Sequence, residues 1–413
     1  MNILFLTMVK IEIERRDIYN DLMRLFRDNG HNVYIVNPVE RREGKGTNLD
    51  VVKGTGSIPE NSKKGDVYTL SVRTLNVQKT SIVEKGIGQF SIEYLYKRAI
   101  KKHFAGVQFD LILYSTPPIT FPDVIRFVKK LNPKALSYLL LKDIFPQNAV
   151  DLRILSKTGL KGVLYKQFRK KEKNLYRLSD VIGCMSPANV RFVLEHNPEI
   201  LPEKVEVNPN SLQLMGNSIS DEDKLNVLMK YNLPPDKPLF IYGGNLGKPQ
   251  GIPFLIQCLD ANKSRQDCHF VVVGTGTYYG KLAEWYTQNQ NANVTVIEGL
   301  PKEDYDRLVQ TCQVGLIFLD YRFTIPNFPS RLLSYLEYKM PVICATDVNC
   351  DMGEIAVNNG FGVWAPSNNV EAFTKCVNDI LSKDINQMGL NGYEFLKQNY
   401  LVEHSYNQIM KHF

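Results

Sequence analysis

The chain has 413 residues, 44% hydrophobic and 23% charged, so it is long enough for two globular domains and too apolar to be a disordered protein. Seven cysteines without a C-x-x-C pair and six scattered histidines give neither a disulfide framework nor a zinc motif, and they predict a reducing compartment. The net charge of +7 is uneven: residues 1–210 carry 34 of the 50 Lys and Arg but only 22 of the 43 Asp and Glu. The first half therefore favours an anionic partner, namely lipid headgroups, polyphosphate or nucleic acid.

The first half alternates short apolar runs with amphipathic segments, which is typical of a parallel α/β sheet. The chain start, MNILFLTMVK, lacks the positive flank and cleavage site of a signal peptide and is predicted to be a buried strand. No apolar run approaches the roughly 18–20 residues that cross a bilayer. Residues 40–66, rich in Gly, Lys, Asn and Ser, are predicted to be a long insertion loop. The predicted strands are Ile3–Val9, Asn32–Asn37, Val67–Val72, Leu111–Ser115, Leu136–Leu141 and Val181–Met185, and the predicted helices are Ile18–Asp28, Ile92–Phe104, Val124–Lys130 and Leu160–Leu178.

A second series of the same kind begins after residue 236, and Asn208–Lys237 before it reads as a linker with a short helix. The whole chain thus predicts two doubly wound domains, residues 1–208 and 209–390, facing a central cleft. A last helix, Tyr393–Phe413, is predicted to cross back to the first domain. The predicted strands are Leu239–Tyr242, Phe270–Val273, Val294–Ile297, Gly315–Leu319, Val342–Ala345 and Gly362–Trp364.

Asn327–Cys344, which reads NFPSRLLSYLEYKMPVIC, contains the first candidate site. Ser330 is predicted to cap the helix that starts there, leaving free backbone N–H groups for a diphosphate. Arg331 beside it and Arg322 upstream are the candidate cations. The alternative is an ordinary helix start without a ligand.

Two glycine-rich loops follow predicted strands in the same half, Tyr242–Gly251 and Val273–Gly276. Glycine allows a ligand to approach the backbone closely, although tight-turn packing is the more common reason for an isolated G-x-G. Because carboxyl ends of parallel strands share one edge of a sheet, three such loops in one domain favour a ligand site there.

These loops, taken together, resemble glycosyltransferase family 4. Gly30-His31-Asn32-Val33 is similar to the family's G-H-x-V, and Tyr242–Gly251 to the Y-x-G-N-x-G loop of its O-antigen and capsule amino-sugar transferases. The segment Lys142–Gln147 resembles the D-x-W/F-P-E/Q of that subgroup. The later family motifs are matched, in order, by Gly274-Thr-Gly276, Glu298-Gly-Leu-Pro301 and Pro329-Ser-Arg-Leu-Leu-x-Tyr…Pro341-Val.

The resemblance implies the GT-B fold, with an acceptor-binding first domain and a second domain that binds a nucleotide sugar. It implies transfer of a hexosyl or N-acetylhexosaminyl group, with retention, to a lipid-linked or polysaccharide acceptor. Asp143, Arg331 and Arg322 are the predicted catalytic residues, and Arg15, Arg16, Asp17 and Pro118 are predicted on the acceptor side. The predicted donor-binding residues are Gly244, Asn245, Gly247, Lys248, Gly274, Gly276, Leu300, Pro301, Pro329, Ser330, Arg331 and Ser334.

The sequence also departs from the family pattern. Two glutamates that the family places eight positions apart correspond to Pro326 and Ser334, and the usual Arg and Lys of the first loop correspond to Asn245 and Gln250. The glycine-rich acceptor loop after the first strand is replaced by Lys10–Asp17. Lys248, Arg322 and Arg331 are the cations that could substitute.

Breaking a sugar–diphosphate bond builds negative charge on the leaving group, which N–H dipoles and cations can meet without a metal. No metal or other cofactor is therefore expected, and Asp221-Glu222-Asp223 is read as a solvated turn of the linker rather than a D-x-D site. Asp143, at a predicted strand end, could accept or orient the proton of the acceptor's nucleophile. A helix N-cap is the competing interpretation of Asp143.

Lys157–Arg177 holds eight Lys and Arg against one Glu, with apolar residues between them. A basic amphipathic helix suits an anionic membrane, and the basic cluster Lys97–His103 adds to that prediction. The alternative is a solvated helix face. Nucleic acid is not expected, because no recognition motif accompanies the charge. The predicted location is cytoplasmic, at the inner face of the plasma membrane, and the rival functions are a sugar-nucleotide epimerase of the same fold and an inactive partner subunit.

Overall fold

The computed structural model describes residues 1–40, 46–54, 64–74, 82–216, 219–290 and 292–413, without the side chains of residues 40 and 82–90. The chain forms two compact units, unit 1 from Met1–Gln213 with Val402–Phe413 and unit 2 from Leu214–Leu401. Each unit holds its own α/β sheet, so the predicted fold class of two Rossmann-like domains is confirmed. The division at residue 213 lies close to the predicted boundary at 208, whereas the return segment begins at Val402 rather than Tyr393.

The sheet of unit 1 contains β1 (Asn2–Leu6), β2 (Asn32–Glu40), β3 (Asn48–Val52), β4 (Val67–Thr74), β5 (Leu111–Ser115), β6 (Leu136–Leu141), β7 (Val181–Cys184) and β8 (Val205–Val207). These strands lie in the order β3-β4-β2-β1-β5-β6-β7-β8. All neighbours are parallel except β3, which pairs antiparallel with β4. Because the chain order reverses between β1 and β5, a ligand of this unit is expected beyond those two strands.

The strand β3 corrects the prediction of an uninterrupted loop over residues 40–66, of which residues 41–45 and 55–63 lie outside the description. Asn48–Val52 is an edge strand with almost no buried side chain, so it lacks the apolar run by which buried strands are found.

The helices of unit 1 pack in two groups. They are α1 (Ile18–Asp28), α2 (Ile82–His103), α3 (Pro122–Leu131), α4 (Gln147–Asp151), α5 (Gly159–Leu178) and α6 (Pro187–His196). α3 contacts both α2 and α5, and the right-handed crossovers that contain these three helices place them on one face of the sheet. α1 lies on the opposite face, where Phe5, Leu22, Met23 and Phe26 join the buried core.

The sheet of unit 2 contains β9 (Leu239–Gly243), β10 (His269–Gly274), β11 (Val294–Glu298), β12 (Val314–Phe318), β13 (Val342–Thr346) and β14 (Gly362–Pro366). All neighbours are parallel, in the order β11-β10-β9-β12-β13-β14. These six strands agree with the predicted ones to within one or two residues. The order reverses between β9 and β12, which places the expected ligand position of unit 2 beyond their carboxyl ends.

The helices of unit 2 cover this sheet. They are α7 (Asp221–Lys230), α8 (Ile252–Asn262), α9 (Tyr279–Gln288), α10 (Lys302–Thr311), α11 (Arg331–Glu337), α12 (Met352–Asn358), α13 (Val370–Leu381) and α14 (Ile385–Asn399). Asp221, Glu222 and Asp223 form the first turn of α7, which Ser220 caps, so the predicted solvated turn is a helix start.

The predicted single helix Tyr393–Phe413 is in fact two, because α14 ends at Asn399 and α15 (Val402–Met410) follows as part of unit 1. α15 packs against α1, with the Tyr406 ring 5.1 Å from that of Phe26. The Ser405 hydroxyl donates to Asn208 Oδ1 at 2.7 Å. Within the described residues, no helix is long and apolar enough to cross a bilayer.

Candidate functional site

The loops that follow β9 and β10 in unit 2 are hydrogen-bonded to each other. Gly244 N donates to Val273 O at 2.9 Å, and Leu246 N donates to Thr275 O at 2.8 Å. A Cβ on Gly274 would lie 1.8 Å from Gly244 O, and a Cβ on Gly276 would lie 2.5 Å from Leu246 O. Tight packing between the loops therefore explains Gly274 and Gly276, the alternative that the sequence left open.

Arg331 lies against the first of these loops. Its guanidinium carbon is 4.4 Å from the centre of the Tyr242 ring, and its Nη2 would be 3.1 Å from a Cβ on Gly244. Nη1 is buried and makes no hydrogen bond to any described residue. A buried guanidinium nitrogen without an acceptor is costly, which favours an anionic ligand as its partner.

Three tyrosines surround this guanidinium. Tyr335 hydroxyl accepts from Gly243 N at 3.3 Å and donates to Ile241 O at 3.1 Å, which ties α11 to β9. A Cβ on Gly243 would lie 2.0 Å from the hydroxyl of Tyr305, and burial raises the pKa of Tyr305 to about 12. Tyr305 belongs to α10, whose sequence gives no sign of this position. These hydroxyls are neutral, and no carboxylate among the described residues forms an ion pair with Arg331.

Ser330 does not cap α11 as predicted. Its backbone is already helical, with φ −64° and ψ −17°, and its side chain makes no capping hydrogen bond. The N–H groups of Leu332 and Leu333 donate to Pro329 O and Ser330 O, so the helix start offers fewer free donors than expected. Positive charge at this edge therefore comes from Arg331 rather than from backbone dipoles.

Arg322 is not available as a diphosphate ligand in the way predicted. Its Nε and Nη2 donate to Asp320 at 2.7 and 2.6 Å, and Asp320 is buried. Asp320 N in turn donates to Pro249 O at 2.9 Å, which joins the loop after β12 to the loop after β9. The charges of Arg322 and Asp320 thus neutralise each other, and the backbone of Asp320 joins the loops that follow β12 and β9.

The other predicted donor residues line the same loops. The Asn245 side chain donates to Gln250 Oε1 at 3.1 Å, and a Cβ on Gly247 would lie 2.6 Å from Asn245 Nδ2. The ammonium of Lys248, in a single 3₁₀ turn, has no hydrogen bond or ion pair within the described chain.

The remaining predicted donor residues lie in later loops and in α11. Pro301 O accepts from Tyr305 N at 2.9 Å. Leu300, Pro329 and Ser334 are partly exposed and belong to the loops after β11 and β12 and to α11.

On α11, where the family pattern would place one of its two glutamates at Ser334, the nearest glutamate does not take that role. The nearest on α11, Glu337, is buried and accepts from Met215 N at 2.8 Å. The described residues contain no cluster of three or more His, Cys, Asp and Glu side chains that could hold a metal ion.

Asp143 follows β6 at the carboxyl edge of the unit 1 sheet. Both carboxylate oxygens accept from Asn148 Nδ2 at 2.9 Å. Burial raises the pKa of the Asp143 carboxyl above its ordinary value, and the bond from Asn148 opposes that shift. Asp143 does not cap α4, whose first turn follows Pro146, so the N-cap alternative is wrong. Sequence reasoning did not find Asn148.

Lys142 beside it is a buried amine that sequence reasoning missed. Its ammonium donates to Asn208 O at 3.0 Å, and burial lowers its pKa to about 7. It lines a shallow pocket together with Tyr19, Leu140 and Ser211.

The four residues predicted on the acceptor side surround the switch point of unit 1 but have structural contacts. Asp17 caps α1 by accepting from Tyr19 N at 3.1 Å. Arg16 donates to Gln213 O at 3.1 Å, and exposed Arg15 pairs with Glu12 at 3.2 Å. Pro118 is buried in the loop after β5.

Comparisons with known proteins agree with this architecture. The profile of the family "Glycosyl transferases group 1" matches residues 224–395. The chain is 22% identical over 335 residues to a probable glycosyltransferase, WbjE, of Pseudomonas aeruginosa, covering 78% of both chains.

Solved structures share the fold over the whole chain. Sucrose-phosphate synthase of Thermosynechococcus elongatus superposes with a TM-score of 0.73 at 13% identity, covering 100% of this chain and 98% of that one. HepE of Anabaena, in complex with UDP, superposes with a TM-score of 0.67 at 13% identity, covering 100% and 99%. Residues 224–395 are thus similar to the group 1 glycosyl transferases, and the chain is a glycosyltransferase with the GT-B fold.

Proposed function

We propose that this enzyme transfers a hexosyl or N-acetylhexosaminyl group from a nucleotide-diphosphate sugar to a lipid-linked or polysaccharide acceptor. The observation that carries the donor half of the proposal is the unpartnered, buried Nη1 of Arg331 beside Gly244. A diphosphate there gives that nitrogen an acceptor and meets the charge that builds as the sugar–phosphate bond breaks. The Anabaena structure that holds UDP on the same fold supports this assignment.

In the proposed donor site, Arg331 contacts the diphosphate and Lys248 supplies a second, unpaired cation. Gly244, with φ +132° and no Cβ, leaves the backbone open beside the guanidinium. Asn245 and Gly247 approach the sugar, while Gly274, Gly276, Leu300 and Pro301 adjoin the base. Arg322 positions the loop after β12 rather than binding phosphate, because its charge is taken by Asp320.

On the acceptor side, Asp143 is proposed to accept or orient the proton of the attacking hydroxyl, with Asn148 holding the carboxylate in place. The surface-polysaccharide role, and within it the O-antigen or capsule amino-sugar subgroup, is supported by the sequence motifs, and the likeness to WbjE supports glycosyl transfer. Retention of anomeric configuration follows from the family resemblance alone.

The proposal is tested by incubating the purified enzyme with a panel of UDP-, dTDP- and GDP-sugars. We expect slow release of one nucleoside diphosphate and a sugar whose anomeric configuration, read by NMR, is retained. A nucleotide sugar that comes back epimerised would instead identify an epimerase. Absence of both turnover and thermal stabilisation by every donor would identify an inactive subunit.

A further inference from the structure

The beginning of α5 presents large apolar side chains to solvent. Leu160 is 93% exposed, Val163 57% and Leu164 36%, and their spacing places them on one face of the helix. Ile154, which precedes the helix, is 55% exposed. Since a contiguous apolar surface of this kind is unfavourable in water, it favours a partner that covers it.

Four lysines surround this apolar face, and none has an ion pair within the described chain. At about 100° per residue, Lys161 lies on one side of the stripe and Lys166 and Lys170 on the other. Lys157 precedes the helix, with its ammonium 5.7 Å from the Tyr165 ring. The four cations are therefore free to neutralise an anionic surface.

The second half of α5 differs, because its cations other than Lys170 already have partners inside unit 1. Glu93 and Glu172 are buried carboxylates, so their partners stabilise the fold rather than remain available to a ligand. The pairs are Arg169–Glu172, Lys171–Glu93, Lys173–Glu199 and Arg177–Glu199. The basic surface predicted over Lys157–Arg177 is thus confined to its first part.

This surface lies at the edge of the sheet that carries Asp143. α5 starts beyond the carboxyl end of β6, and its Phe168 ring is 5.0 Å from the ring of Phe145, two residues after Asp143. The other basic cluster, Lys97–His103, ends α2 where the chain enters the amino end of β5. The two clusters are therefore at opposite edges of the sheet, and only the start of α5 lies at the edge that carries Asp143.

We propose that Ile154–Lys170, the docking surface, binds the headgroup region of an anionic bilayer. Leu160, Val163 and Leu164 enter the interface, and the four lysines contact lipid phosphates. Docking at this edge brings a membrane-held acceptor to Asp143, and that consequence rests on the proposed function. Binding itself does not require turnover, so the two proposals fail separately.

The test is cosedimentation of the full chain, without donor, with vesicles of phosphatidylglycerol and phosphatidylcholine and with vesicles of phosphatidylcholine alone. We expect binding to the anionic vesicles at low salt and release at about 1 M salt, where the Debye length falls to about 3 Å. The variant Lys157→Gln, Lys161→Gln, Lys166→Gln, Lys170→Gln should bind about tenfold more weakly or worse. Equal binding to both vesicle types would overturn the proposal.

A matched control changes four exposed, unpaired lysines of the same unit at the opposite edge, Lys101→Gln, Lys102→Gln, Lys130→Gln and Lys134→Gln. This control loses the same charge and should keep its vesicle binding. An equal loss in both variants would mean that net charge, not the docking surface, attracts the membrane.

Insertion is measured with Leu160→Trp, since the only two native tryptophans, Trp285 and Trp364, lie in unit 2. A blue shift of its emission on anionic vesicles is expected. An unchanged spectrum in a variant that still sediments would show that the apolar stripe stays in water.

Discussion

At the scale of single residues, Arg331 is the side chain whose surroundings fit best with binding an anion. Its ring contact with Tyr242 holds the guanidinium, and its Nη1 has no acceptor in the described protein. Because Nη1 makes no hydrogen bond in the described protein, an effect on turnover in a folded variant can be attributed to the ligand rather than to a broken hydrogen bond of that atom.

We expect Arg331→Ala to lower kcat/KM by about 30- to 150-fold, or about 2–3 kcal/mol of transition-state stabilisation. Arg331→Lys should recover part of this loss, because lysine keeps the positive charge. Recovery should be incomplete, because an ammonium lacks the planar guanidinium that binds two oxygens at once. Arg307→Ala, an exposed arginine of the same unit, is the control and should leave kcat/KM unchanged. Normal turnover by a folded Arg331→Ala enzyme would remove Arg331 from the site.

The acid limb of the pH profile should report Asp143. Burial raises the pKa of its carboxyl above the ordinary 3.8, so the active carboxylate is lost at a higher pH than for an exposed aspartate. Asn148→Ala removes the amide that stabilises the carboxylate and should move the limb of kcat to still higher pH. Asp143→Asn should abolish most turnover while the KM for the donor changes little. If the acid limb of kcat lies at the same pH in Asn148→Ala as in the wild-type enzyme, the proposed role of Asp143 is contradicted.

The same carboxyl affects stability with a defined sign. Its proton is bound more tightly in the folded than in the unfolded state, so the free energy of unfolding falls as pH rises from the ordinary to the raised pKa.

Residue identities were easier to predict from the sequence than their partners. The motif around Ser330 was visible, yet the cap was not formed, because the preceding proline segment leads directly into helical backbone. Arg322 was a reasonable candidate cation, but the sequence does not reveal that buried Asp320 holds it. Tyr305 and Asn148 come from neighbouring helices and become recognisable only when the packing is known.

At the scale of elements, the loop glycines of unit 2 differ in how closely they are packed. A Cβ on Gly274 would overlap Gly244 O at 1.8 Å, whereas a Cβ on Gly280, in α9, would have no neighbour within 4 Å. We expect Gly274→Ala to lower both the melting temperature and donor affinity, because the two loops must separate. Gly280→Ala should be neutral or stabilise by about 0.5–1 kcal/mol. Equal melting temperatures for the two variants would show that the loops tolerate separation.

The division of α5 into paired and unpaired cations gives a second element-scale prediction. Lys171→Gln leaves the buried carboxylate of Glu93 without its cation and should lower the free energy of unfolding by about 2–3 kcal/mol. Lys170→Gln, one residue earlier on the exposed side, should change it by less than about 0.5 kcal/mol. Denaturant unfolding measures both, and similar values for the two variants would contradict the assignment.

Buried parallel strands were predicted well because they are continuous apolar runs with glycine or proline at their ends. The edge strand β3 and the break between α14 and α15 were missed for different reasons. The side chains of β3 are almost all exposed, so its sequence lacks the apolar run or alternation that marks a buried strand. The break at Tyr400-Leu401 contains neither glycine nor proline, and its cause is that the chain there passes from one unit to the other.

At the scale of the whole molecule, charge on the leaving group is expected to be met by side chains rather than by a metal ion. We therefore expect the enzyme to stay active in EDTA, with the same kcat/KM as without the chelator. Complete loss in EDTA that magnesium or manganese restores would contradict this account, and cadmium or zinc add-back would serve as a check on non-specific rescue.

The insertion of unit 2 within unit 1 has a consequence for synthesis. Leu212 and Val402 are joined by a hydrogen bond of 2.9 Å, so the chain leaves unit 1 and re-enters it at the same point. A ribosome delivers all of residues 214–401 before it delivers α15, whose Val402 and Ile409 are buried in the core of unit 1. Unit 2 can thus fold as soon as it emerges, whereas unit 1, although its translation begins first, must wait with an uncovered apolar surface beside α1 until α15 has been translated.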